Sequence, residues 1–169
     1  MANRLTADPF PAYSYVPGKW PHPRREPDGH SHGEPEPTVS AFDPDRWQDC
    51  GAYLFGIDLF NHGFYWESHE QWEAVWLSVG RKGVVANFLK GLIKLSAAGV
   101  KLKEQRPAGV RRHAIRAREL FDATQQTHES LCGLKLTSLI VFSDAIRNAN
   151  TEHDVLLLFE AKELVPGVA

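Results

Sequence analysis

From Asp43 onward the apolar residues of this chain recur every three or four positions, and the runs are cut by "NHG" at 61–63, Gly80 and "RPAG" at 106–109. That pattern leaves little choice of fold: amphipathic helices joined by short connections bury their apolar stripes against one another as an antiparallel bundle. Asp43 is a good N-cap and Pro44 suits a first helical position, so helix one is expected to start there. It carries Trp47, Cys50, Leu54 and Ile57 on its apolar face and closes at Gly63. Helix two is expected from about Phe64 to Val79. Helix three takes 84–102, with Val85, Phe88, Leu92, Leu95, Gly99 and Leu102 on one side. Its small residues, among them Gly91, Ser96, Ala97 and Ala98, permit close helix packing despite the cost of glycine in a helix. Helix four resumes after "RPAG" at 110–123, "ESLCGLK" at 129–135 reads as a loop, and 136–149 reads as a fifth helix. "HDVLLLFEAKELVP" at 153–166 is ambiguous between helix and strand.

The first 40 residues obey other rules. They hold eight of the chain's 11 prolines and three histidines, and show neither helical nor strand periodicity. They are expected to form an extended arm. A solvated linker would lack Phe10, Tyr13, Tyr15, Val16 and Trp20, so the arm is expected to lie on the domain and bury them. The expected organisation is an arm at 1–40 and one all-α domain at 41–169, because 169 residues suffice for a single core of this kind.

Charge and composition narrow the function classes. With 43% hydrophobic and 24% charged residues the chain reads as an ordinary globular protein, and its most apolar stretch is interrupted by Lys90, Lys94 and Lys101. No membrane span is expected, and the N-terminal residues show no apolar leader, so a cytoplasmic location is expected. Two cysteines, Cys50 and Cys132, neither build a disulfide framework nor stand close enough for a zinc pair. Asp43 to Glu73 carries seven acidic residues against Arg46, and Arg81 to Arg118 carries 11 basic residues against Glu104. Such asymmetry attracts an anionic partner or lets the helices of one bundle attract each other; we read it as the second. No specific nucleic-acid partner is expected, because the basic block contains only Phe88, which its spacing assigns to the core.

The chemistry-bearing stretch is "YWESHEQWEAVW" at 65–76. On a helical wheel Tyr65, Trp72, Val75, Trp76 and Val79 share one arc, His69 falls at its edge, Glu73 one step further, and Glu70 and Glu67 continue toward solvent. His69 and Glu73 are four residues apart and leave the same face. A neutral imidazole and a carboxylate so placed either share a divalent metal or pair directly with no metal; a metal needs a third ligand and usually a fourth. The arm offers His22, His30 and His32 in "PHPRREPDGHSHG". The stretch is not a zincin motif, because the position four after the first histidine holds Glu73. No nucleophile elbow, dinucleotide fingerprint or phosphate loop occurs.

"LFNHGFYWESHEQWEAVWLSVG", with "FLKGLIKLSAAGVK" and "AGVRRHAIRARELF", resembles the DUF309 family of bacterial and archaeal proteins, over about residues 45–125. The family's mark is a histidine, a glutamate four later and a tryptophan or tyrosine three beyond; here these are His69, Glu73 and Trp76. The arm is similar to the extension of longer members. The resemblance implies an α-helical bundle and a metal-binding motif, and little about reaction, since the family's activity is unassigned. The expected site therefore has His69 and Glu73 as ligands of a divalent metal, a histidine among His22, His30 and His32 completing the shell, and Glu70 or Glu67 activating a water for hydrolysis of a small anionic substrate. The alternative is a non-catalytic, homodimeric helical module in which the same residues form a structural network.

Overall fold

The computed structural model describes residues 3–149; the ambiguous stretch at 153–166 lies outside the described residues. Five α-helices succeed one another: α1 (Gly51–Asn61), α2 (Tyr65–Ser78), α3 (Val84–Lys103), α4 (Pro107–Gln125) and α5 (Leu136–Arg147). Consecutive helices form the main packing contacts, α1 on α2, α2 on α3, α3 on α4 and α4 on α5. This is the all-α bundle that short connections between amphipathic segments dictate. Its centre is filled from every helix, with Tyr53, Ile57, Trp72, Phe88, Leu92, Leu95, Phe121 and Leu139 fully buried. The small residues of α3 serve close approach: a Cβ at Gly99 would run into the ring of Tyr65.

The expected first helix is two elements. Asp43 does cap it, its carboxylate accepting from the Asp45 N–H at 2.9 Å, but Pro44–Asp49 is a 3₁₀ segment. Cys50 is extended (φ −96°, ψ 98°), and α1 starts only at Gly51. The break turns Trp47 off the α1 stripe and sets its ring edge-on to Tyr53, at 6.2 Å, and against Gly133. Helix four begins a turn earlier than expected. Pro107 is its first residue, where a missing N–H costs nothing. The expected loop at 129–135 is a small antiparallel hairpin, β1 (Ser130–Leu131) and β2 (Leu134–Lys135). Cys132 and Gly133 form its two-residue turn, both at positive φ, as such tight hairpins require. Tyr53 locks the turn by donating to the Cys132 carbonyl at 2.8 Å, and burial pushes the Cys132 thiol up to about 12. That thiol is structural.

The described part of the arm up to Asp43 contains no helix or strand. It is held by side chains. Buried Asp58 on α1 accepts from Leu5 N, Thr6 N and Thr6 Oγ1, each at 2.8 Å. Phe10 stacks on Phe64 at 5.0 Å, Ser14 donates to the Gly63 carbonyl at 2.8 Å, and Tyr15 and Val16 are buried. Trp20 is exposed, yet its ring lies flat on Tyr13 at 4.9 Å. Among the described residues no helix is long and apolar enough to cross a membrane.

The packing of α4 on α3 makes stability depend on pH. His113 on α4 is pushed down to about 4, first by burial and then by Lys94, Arg112 and Lys101. Its unfolded value is about 6.5, so the unfolded chain binds the extra proton and stability falls as pH drops from about 6.5 toward 4. His113→Gln is expected to flatten the decline of urea midpoint with acidification in that window; an identical slope would contradict it.

Candidate functional site

Helix α2 turns Tyr65, Trp72 and Val75 into the core and presents its opposite edge to the arm. The arm changes what that edge is. Glu67, expected in solvent, is buried: its Oε1 accepts from Tyr15 N at 2.8 Å and meets His30 Nε2 at 2.9 Å. The two side chains are 4% and 3% exposed. His30 is also fixed from the other side, its Nδ1 at 2.8 Å from Ser31 Oγ, and its backbone N–H donates to Tyr13 Oη at 3.1 Å. Glu67 thus fastens the arm, and a carboxylate so enclosed is poorly placed to activate a water. One turn on, Arg24 of the arm grips Glu70 through Nε to Oε1 at 3.0 Å and NH2 to Oε2 at 3.4 Å. The same guanidinium donates to the carbonyls of Glu34 and Pro35. Glu70 is engaged in holding the arm too.

His69 and Glu73 stay accessible, with side chains 28% and 45% exposed. Their facing atoms, Nε2 and Oε2, are 3.4 Å apart, longer than a normal N–H···O bond. Burial depresses the His69 pKa first of all; Glu73 and Glu70 raise it, and Lys90 and Lys94 lower it again. The imidazole is therefore neutral at pH 7. His69 Nδ1 and Trp66 Nε1 are buried without a hydrogen-bond partner.

Two clefts lie between arm and helix. The first, about 390 Å³, is lined by His69, Glu73 and Glu70 of α2, with Trp66, Ala74 and Leu77, and by His22, Arg24, Arg25 and Glu36 of the arm. The second, about 530 Å³, has Phe10, Phe55, His30, Glu34 and Glu67 in its walls. Arg24 and Glu70 border both.

Residues 53–113 match the family model DUF309, a domain of unknown function. That segment is a DUF309 domain. No curated protein and no solved structure matches the chain. The DUF309 segment reaches from α1 into α4 and contains the whole of α2. The arm lies outside it, so each cleft is built jointly by the domain and by a segment beyond it.

The expected metal shell is only partly assembled. Among the described residues no three His, Cys, Asp or Glu side chains group as ligands. His30 is committed to Glu67. His22 borders the first cleft, and its Nδ1 accepts from the Arg24 and Arg25 N–H groups at 3.3 Å. His32 Nδ1 donates to the Arg24 carbonyl at 3.2 Å and the residue lines neither cleft. His69 and Glu73 remain as a two-donor pair. Sequence reasoning missed Arg24, Arg25 and Asp58; a basic pair two residues from His22 was the one available signal for the first two.

Proposed function

We propose that the cleft over His69 and Glu73 binds a small anionic molecule that also carries hydrogen-bond donors. The supporting observation is unspent polar capacity around one open cavity. Arg25 and Glu36 make no side-chain hydrogen bond or ion pair among the described residues, Glu73 has only the long contact to His69, and His69 is a neutral imidazole. Trp66, Ala74 and Leu77 supply apolar wall, and the volume suits a metabolite-sized ligand. In this reading Arg25 pairs with the anion, Glu73 accepts from the ligand's donors, and His69 exchanges a hydrogen bond with it. Ligand-observed NMR with glutamate, phosphoserine and citrate as probes tests the reading. At least one probe is expected to bind, and Arg25→Ala and His69→Ala each to weaken it about tenfold or more, the worth of one charge-assisted hydrogen bond. Binding by none of the three, or binding indifferent to both substitutions, would remove it.

A divalent cation at His69 and Glu73 is the second reading, favoured by their spacing. Two donors each about 2.1 Å from one ion and at right to tetrahedral angles are separated by roughly 3.0–3.4 Å, as His69 Nε2 and Glu73 Oε2 are. With two protein ligands the ion would be held weakly, its other positions filled by water or by the bound anion. Such an ion, when bound, acidifies its water toward neutral pH. Calorimetric titration of tag-free protein with Zn²⁺ and Mn²⁺ is expected to give one site that His69→Ala and Glu73→Ala each abolish. Absence of saturable binding in the parent chain would leave the anion reading alone.

A further inference from the structure

Away from the clefts, and among the described residues, the outward face of α4 carries more cations than the carboxylates around it neutralise. Arg116 has Glu119 at 2.9 Å, Arg118 has Asp122 and Asp144, and Lys101 has Glu104. Arg111 and Arg112 are exposed and make no side-chain hydrogen bond or ion pair among the described residues, and neither does Lys94, on the neighbouring face of α3. The mutual repulsion is legible in the groups themselves: Lys94 is shifted down by burial and then by Lys90, Arg116 and Arg112, and His113 is pressed the same way by Lys94 and Arg112. Uncompensated charge of one sign across two packed helices is unfavourable for the isolated domain, and an anionic neighbour relieves it.

The patch is not only charged. Ile115 is 40% exposed, and a shallow groove of about 520 Å³ runs past it from Ala108 to Glu119, between the stems of Arg111, Arg112 and Arg116. Eleven residue steps of α4 span roughly 17 Å, the length of three helical turns. Single-stranded nucleic acid gains its affinity from stacking, and this groove has no aromatic side chain among its lining residues. A phosphate backbone would also leave Ile115 and Ala108 without an apolar contact. We propose that the α4 groove is a docking surface for an acidic amphipathic helix of a partner protein, whose carboxylates meet Arg111, Arg112 and Lys94 and whose apolar stripe covers Ile115. Charge complementarity speeds and orients the encounter, and the apolar contact selects a helix over a simple polyanion.

The test is fluorescence anisotropy at ~150 mM salt, near physiological screening, with three labelled probes. They are an 18-residue peptide of glutamate and leucine with leucine at i, i+3, i+4 and i+7, a scrambled peptide of the same composition, and a mixed-sequence DNA strand. The patterned peptide is expected to bind the full chain at least about tenfold more tightly than the other two, since only it satisfies both the charge and the stripe. The charge-reversed pair Arg111→Glu and Arg112→Glu is expected to weaken it about tenfold or more, and Ile115→Ser to remove its advantage over the scrambled peptide. All altered positions are exposed, and unchanged circular dichroism confirms that the variants fold. Equal binding of patterned and scrambled peptides, tighter binding of the DNA, or no binding of the patterned peptide would each overturn the proposal.

Discussion

Deletion of residues 1–40 is expected to lower the free energy of unfolding by roughly 3–6 kcal/mol, because each fully buried large apolar side chain contributes about 1.5–3 kcal/mol. Tyr15 and Val16 are buried, and Phe10 stacks on Phe64. The hydrogen bonds of Asp58 and Glu67 to the arm contribute less on balance, because deletion hands both carboxylates back to water. The entropy of ordering a long extended segment offsets part of the burial, which keeps the figure near the bottom of what the contacts alone would give. Urea unfolding of the full and shortened chains reads the effect as a lower midpoint. The shortened chain should also expose less new surface on unfolding and give a shallower slope. An unchanged midpoint would mean that the arm is attached without stabilising anything.

Glu67→Ala is expected to be destabilising by roughly 1–3 kcal/mol for each of the two buried donors it leaves without an acceptor. Its carboxylate is the shared acceptor of Tyr15 N and His30 Nε2, and alanine leaves both facing a void. Glu67→Gln retains one carbonyl oxygen and is expected to cost less than half as much. If Glu67 instead worked on a substrate from a solvated position, both variants would fold as the parent does. Thermal melts of the three proteins at pH 7 separate the two outcomes.

These carboxylates mark the limit of what the sequence could convey. The helices of the bundle were legible because Trp72, Phe88, Leu92 and Phe121 repeat at the helical period and Gly63 and Gly80 punctuate them. His69 and Glu73 were legible for the same reason, since their relation is set inside one helix. Glu67 was not. A helical wheel assigns its outer edge to water unless something else arrives, and the residues that arrive here are 15 and 30, far upstream and without periodicity. The break at Cys50 was hidden likewise, because Trp47 and Cys50 keep helical spacing to Leu54 and only the hairpin at 130–135 gives Trp47 another place to go. Two-residue strands are too short to show alternation. Local order was readable, and contacts made by non-periodic segments were not.

The two clefts share the Arg24–Glu70 ion pair and Pro37. Arg24 and Glu70 stand in both linings, and the same guanidinium also holds the carbonyls of Glu34 and Pro35. A change of Arg24 rotamer would alter both linings and break its hydrogen bonds to the Glu34 and Pro35 carbonyls. Whatever moves Arg24 on the His69 side therefore bears on the lining of the Phe10 side and on the hold of the arm as well.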